Sequence, residues 1–286
     1  MLLVTGTVHA QDSFFVQMAD PQFGMYTNDK GFAQETANLE FAIKTVNRLH
    51  PAFVVMSGDL VNKQGDADEI AEYLRVTHQL DPKIPLHNVV GNHDVGNAPT
   101  HESLEAYRRV FGPDYYAFQS GEMEGIVIDS SIIQHPEKVP DEENKQRMWL
   151  ESELKAAAAR NVKWIVIFQH IPWFLKSADE ADQYFNIPHE TRARYLKLFE
   201  DSGIRYDFAG HYHQNSDGKD GSFTMTTTGP VGMPQGNASS GLRVVAVEAP
   251  GLCSQYFGLG NLPNHFDPRS LTACVPTFDA SGQQKK

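Results

Sequence analysis

The segment VVGNHDVGN, Val89 to Asn97, ends an apolar run in a glycine, an amide, an imidazole and a carboxylate. Burying such groups behind a strand costs packing and desolvation, so Asn92, His93 and Asp94 read as parts of a site rather than of a core. Four other apolar runs close in the same way. Asp20 ends SFFVQMAD, Asp59 ends AFVVMSGD, His170 ends VKWIVIFQH, and His211 ends IRYDFAGH with His213 two residues on. Each has an ordinary explanation when taken singly: Asp before Pro opens a turn, Asp after Gly caps a helix, Asn tolerates unusual backbone angles. The ordered set does not. In open α/β sheets the carboxyl ends of strands meet at one rim, where loops converge on a rigid scaffold. One cluster of carboxylates, amides and imidazoles is expected there, side-chain types that move protons and hold cations.

The elements that must position this cluster alternate strand and helix through the first two thirds of the chain, an α/β arrangement. Strands are expected at 13–20, 52–59, 85–92, 125–130, 162–170 and 204–211. Leu39, Ala42, Ile43, Val46 and Leu49 have the spacing of one buried helical face. Further helices are expected around 66–80, 145–160 and 188–201. SFTMTTTG and GLRVVAVE follow one another without a helix between them, so the second half should be partly antiparallel. No solenoid repeat, charge block or interdomain linker is visible. The expected division is one domain over 13–250, preceded by a signal remnant or unstructured stretch at 1–12 and followed by an irregular Gly-, Pro- and Asn-rich tail at 251–286.

Composition narrows the function. The chain has 286 residues, 41% of them hydrophobic, enough for one large domain. Its 24 Lys and Arg face 36 Asp and Glu, a formal charge of -12 with no basic run, so polymeric nucleic acid is not an expected partner. The best interior apolar run is WIVIF, far short of a membrane span. Val8 and Ala10 fit the small-residue pattern before a signal-peptidase cut, which would make the protein exported or periplasmic; without a leader it would be cytoplasmic. Cys253 and Cys274 form no CxxC motif. In an exported chain they would pair and pin the tail, and in a cytosolic one they would be thiols. His9, His50, His78, His87, His101, His135, His189 and His265 are assigned to the surface or to satisfied core positions, and neither His101-Glu102 nor His189-Glu190 completes an HExxH motif.

The ordered words DPQ, GD, GNHD, QH and GHYH resemble the calcineurin-like metallophosphoesterase family. ADPQFG, GNHDVGN, FQHIPWF and GHYHQN narrow the likeness to its subgroup of calcineurin-like phosphoesterase domain-containing proteins. The resemblance spans Phe14 to Glu248. It implies an α/β/β/α sandwich of two mixed β-sheets flanked by helices, and two divalent metal ions. Asp20, Gln22 and His213 match the ligands of the first ion, Asn92, His170 and His211 those of the second, and Asp59 would be shared. A mixed oxygen and imidazole set suits Mn, Fe, Zn or Ni better than Ca. The implied activity is hydrolysis of a phosphorylated substrate, a phosphoprotein or small phosphate monoester, by a metal-bridging hydroxide with His93 as proton donor. A phosphodiesterase on cyclic nucleotides or nucleotide-sugars and a metal-binding module without turnover are the alternatives. Asn62 and Asp94 would support the ligands from behind, and Gly58, Gly91 and Gly210 would provide sharp bends.

Two departures from the family pattern carry expectations. Gln22 stands where many relatives have histidine, and an amide oxygen without the hydrogen bond that usually supports an imidazole should leave the first site looser. Gln22→His is therefore expected to tighten first-site metal binding, measured by calorimetry. Asn62 stands where many relatives have an acid; it can orient His93 but brings no negative charge. The arginine that follows Gly-Asp in the large protein phosphatases is absent, GDLVNKQG offering only Lys63.

Overall fold

In strand β1, Ser13–Met18, the residues from Phe14 to Met18 are buried on both faces. Phe14, Val16 and Met18 join one apolar cluster and Phe15 another, which is why SFFVQM shows no apolar-polar alternation. The computed structural model describes residues 13–160, 162–248 and 251–271. The stretch read as a signal remnant, and Cys274, lie outside the described residues. After β1 come α1 (Ala33–Leu49), β2 (Val54–Ser57), α2 (Ala67–Thr77), β3 (Leu86–Val89), the single turn α3 (Asn92–Val95), α4 (His101–Phe111), β4 (Tyr116–Ser120) and β5 (Met123–Val127). The chain continues through α5 (Ser130–Gln134), α6 (Pro140–Ala159), β6 (Trp164–Phe168), α7 (His189–Asp201), β7 (Tyr206–Ala209), β8 (Ser216–Asp220), β9 (Phe223–Thr227), β10 (Gly241–Glu248) and β11 (Gly251–Gly258).

Two mixed sheets result, ordered β11-β10-β1-β2-β3 and β4-β5-β6-β7-β9-β8. β1, β2 and β3 are parallel to one another, as are β5, β6, β7 and β9, so the carboxyl ends that carry the chemistry point the same way within each sheet. The inner faces meet over Phe15, Phe53, Val55, Phe168 and Phe208. Phe15 stacks on Phe53 at 4.8 Å and meets Phe168 and Phe208 edge-on at 5.6 Å, contacts each worth about 0.5–1.5 kcal/mol beyond area burial. Leu39, Ala42, Ile43 and Val46 of α1 cover the outer face of the first sheet, while Leu150 and Leu154 of α6 and Tyr195 and Phe199 of α7 cover that of the second. The expected α/β/β/α sandwich is thus the observed one.

The tail begins later than the sequence indicates. Gly251–Gly258, assigned above to an irregular segment, is strand β11, paired antiparallel with all eight residues of β10. Its flanking glycines conceal a core of Leu, Cys, Tyr and Phe that fits a pleated surface. Cys253 within it is disulfide-bonded.

His87 on β3 shows how the core treats a titratable group. Its ring stacks on Phe118 at 3.6 Å and 13°, and burial pushes its pKa down to about 4. The unfolded chain, titrating near the ordinary value of about 6.5, binds more protons between the two values, so this residue withdraws stability as pH falls through that window. His87→Phe is expected to keep the stack and flatten the loss. Its stability relative to wild type should rise by about 1–2 kcal/mol between about pH 7 and about pH 4.5 in urea unfolding, a figure reduced for the ring's partial exposure.

Candidate metal centre

β1 and β2 stop short of their carboxylates, and the chains run on side by side. Asp20 N donates to Gly58 O at 3.2 Å and Gln22 N to Asp59 O at 2.9 Å. Asp20, Gln22, Asp59, His211 and His213 all have left-handed backbone, with φ between 39° and 69°. Such residues cost of order 1–3 kcal/mol each and persist only where the surroundings over-determine them. Here they turn five side chains out of the sheet pleat at one rim. Gly58 shares the left-handed bend, with φ 78°, and a Cβ there would lie 2.4 Å from His170 Nδ1. Gly91 and Gly210, expected as bends, do not have left-handed φ. They are points of close approach instead: a Cβ on Gly91 would lie 2.1 Å from Asp59 N, and one on Gly210 2.7 Å from Asp20 Oδ2.

Main-chain carbonyls select which nitrogen of each imidazole stays free. His170 Nδ1 faces Ser57 O at 2.8 Å, leaving Nε2 3.2 Å from Asp59 Oδ2 and 3.0 Å from Asn92 Oδ1. His213 Nδ1 faces Met233 O at 2.6 Å, leaving Nε2 3.6 Å from Asp20 Oδ1. His211 Nε2 faces Tyr184 O at 3.1 Å, leaving Nδ1. An imidazole that donates one N–H to a carbonyl presents the other nitrogen as a lone pair, the form in which histidine ligates a metal. Asn92 is aimed by similar means, its Nδ2 donating to Asn97 Oδ1 at 2.7 Å.

Two groups of potential ligands follow, Asp59 with His170 and His211, and Asp20 with Asp59 and His213, the ligand atoms of each lying within 4.8 Å of one another. Asp59 belongs to both. Gln22 and Asn92 are buried beside these residues in the fold's interior. Burial pushes Asp20 up to about 6 against the pull of His213 and His170, and burial with the Asp59 charge pushes Asp94 up to about 7. Burial opposes ionisation of Asp59 too, but His170, His93 and His211 hold it well below the ordinary carboxylate range. Burial pulls His170 down, yet Asp59 and Asp20 lift it to about 9; burial and the charge on His170 push His211 down to about 3. The charges of Asp59 and Asp20 thus favour a cation at His170, while the charge there disfavours a second one at His211. Gln22 Oε1 is buried with no hydrogen-bond partner among the described residues. An orphaned acceptor costs about 1–3 kcal/mol unless something electropositive meets it. Carboxylates, aimed amide oxygens and lone-pair imidazoles form a donor set that fits divalent transition metals.

His93 lies at the edge of this set, half-buried on α3. Its N–H donates to Asp59 Oδ1 at 2.9 Å, and its Nδ1 faces the main-chain oxygen of Asn62 at 2.6 Å. Asn62 thus holds His93 through its backbone, not through the side chain the sequence suggested. That side chain holds Gln22 instead, Oδ1 accepting from Gln22 Nε2 at 3.0 Å, so Gln22 does have the support expected to be missing. Asp94 ties the loops: Oδ1 accepts from Leu60 N and Val61 N, Oδ2 from Gly91 N at 2.7 Å. The structure brings all seven predicted ligand residues, with His93, Asn62 and Asp94, to one rim. Tyr184 was not anticipated, nor were the supporting roles of Asn97 and the Met233 carbonyl. Tyr184 also places its hydroxyl 3.4 Å from Asn92 Nδ2 and its ring 4.9 Å from that of His211.

The family model of the calcineurin-like phosphoesterases matches residues 8–215. The chain belongs to the calcineurin-like phosphoesterase family. Among curated relatives, the serine/threonine-protein phosphatase CPPED1 of Homo sapiens is 36% identical over 265 residues, covering 87% of this chain and 84% of that protein. CPPED1 of Danio rerio is 33% identical over 267 residues. Among solved structures, a dimetal phosphatase from Danio rerio superposes with a TM-score of 0.66 at 16% identity, covering 87% of this chain and 96% of that one, a likeness of fold. The calcineurin-like phosphoesterase described here is thus a metal-dependent hydrolase of phosphate esters, and calcineurin-like dimetal phosphatases use two divalent metal ions.

Proposed function

We propose that the chain removes phosphate from phosphoserine or phosphothreonine in proteins, using two ions of the Mn, Fe, Zn or Ni class. Asp20, Gln22 and His213 would hold one ion, Asn92, His170 and His211 the other, and Asp59 both. The observation that carries this reading is the common membership of Asp59 in two ligand groups beside a half-buried histidine. The names of the 33–36% identical relatives support the choice of substrate. When bound, the ions would neutralise phosphoryl charge and lower the pKa of water toward neutrality. His93, fixed through Nδ1, presents Nε2 for the leaving oxygen. Tyr184 is 56% exposed beside Asn92 and His211, and offers an aromatic edge to a phosphorylated side chain.

The test is turnover by the metal-reconstituted protein on phosphoserine peptides, p-nitrophenyl phosphate and its bis-ester. Release of phosphate from the peptide and the monoester is expected. Faster cleavage of the bis-ester would instead make it a diesterase, and no turnover with any of these ions would make it a metal-binding module.

A further inference from the structure

Gln22 meets the site through an amide, and an amide has two ends. Its oxygen would bind a cation and its NH₂ would repel one, so the side chain is useful in one orientation only. Three side chains in series bear on which orientation it takes. Asp29 Oδ1 accepts from Asn62 Nδ2 at 2.5 Å, Asn62 Oδ1 accepts from Gln22 Nε2 at 3.0 Å, and Gln22 Oε1 is the buried, unpartnered end of the series. A carboxylate only accepts. Asn62 must therefore turn its NH₂ to Asp29, its oxygen must face Gln22, and Gln22 must answer with its own NH₂.

We propose that Asp29 is a positioning residue that polarises this series and leaves Gln22 Oε1 free as a metal ligand. The inference rests on the two-ion reading above and deepens it. Asn62 is well placed to transmit the constraint, because its backbone is independently clamped: Glu69 Oε2 accepts from Asn62 N at 3.0 Å and from Lys63 N at 2.9 Å. Asp29 is anchored as well, its N donating to Gly24 O at 2.9 Å. Its left-handed backbone, φ 61°, is one that asparagine also adopts readily, so Asp29→Asn preserves shape while allowing the series to reverse.

The test is calorimetric titration of Mn²⁺ alone into the metal-free wild type, Asp29→Asn, the exchanged pair Asp29→Asn/Asn62→Asp, and the charge control Asp68→Asn at an exposed site on α2. The wild type should bind two equivalents. Asp29→Asn should weaken one of them by about 10-fold or more, the range seen when groups behind a ligand are lost. The exchanged pair should restore it to within about threefold, since an acid at 62 accepts from both neighbours. Asp68→Asn should change neither. Unaltered affinities in Asp29→Asn, no recovery in the exchanged pair, or an equal loss in Asp68→Asn would each overturn the inference while leaving the two-ion reading in place. A wild type that takes up no Mn²⁺ would overturn both.

Discussion

Asp59→Asn abolishes phosphate-ester hydrolysis, lowering kcat/KM for p-nitrophenyl phosphate by about 10²–10³-fold or more, and leaves the metal-free fold intact. The two halves of this expectation have one cause. Asp59 is 1% exposed, close to the buried carboxylates Asp20 and Asp94, and it is stabilised as an anion by His170, His93 and His211. Replacing it with an amide removes the residue common to both ligand groups; it gives up the attraction of those histidines while also relieving the burial of a charge beside Asp20 and Asp94. Asparagine can keep the acceptor for the His93 N–H, and its NH₂ can face the Nε2 lone pair of His170. The metal-free variant should therefore still fold cooperatively, melting at or below the wild-type temperature, because a carboxylate whose pKa is depressed in the fold contributes stability at neutral pH. The metal-dependent part should vanish: a ligand at 100 times its Kd stabilises the wild type by about 2.7 kcal/mol per site, and Asp59→Asn should lose most of the Mn²⁺-induced rise in Tm. Scanning calorimetry with and without Mn²⁺ separates the two. A variant with the full metal-induced rise would show that Asp59 is not needed to hold the ions.

Most of the rim was legible because its residues stand where strands end, and strand ends are visible as the last apolar residue of a run. Asp20, Asp59, Asn92, His170 and His211 each follow such a run. What surrounds them was not legible, and for a definite reason. The partners that set the imidazole tautomers are the main-chain oxygens of Ser57, Tyr184, Met233 and, for His93, Asn62, groups that every residue carries and no residue type announces. The glycines illustrate the same limit. GD, GN and GH look alike in sequence, yet only Gly58 is there for its φ, while Gly91 and Gly210 make room for the carboxylates of other loops. In the fold, both α/β halves could be read from apolar periodicity, but β8, with the sequence SDGKD, is an edge strand without an apolar face, and β11 is masked by glycines at its ends. β3 ends at Val89, and Asn92 opens a helical turn, so the segment whose apolar run predicts strand to Asn92 is a strand, a tight approach at Gly91, and a helix start.

His93→Ala should separate leaving-group chemistry from metal binding. The ring's one hydrogen bond runs from Nδ1 to the Asn62 main-chain oxygen, and the contact that bears on a ligand, the main-chain N–H to Asp59 Oδ1, survives in alanine, so loss of the ring should leave Mn²⁺ affinity within about threefold of wild type. Its Nε2 is the atom left to face substrate. If it donates a proton to the departing oxygen, the penalty must depend on how much that oxygen needs one. An alkyl leaving group such as the serine side chain leaves poorly as an anion, and general acid catalysis there contributes about 10²–10⁴-fold. p-Nitrophenolate leaves without help. His93→Ala is therefore expected to slow phosphoserine-peptide hydrolysis by about 10²–10⁴-fold and p-nitrophenyl phosphate hydrolysis far less, with KM little changed for either. The ratio of the two losses is the measurement. Equal losses would place the imidazole against the phosphoryl oxygens as a charge stabiliser, because that interaction is the same whichever group departs.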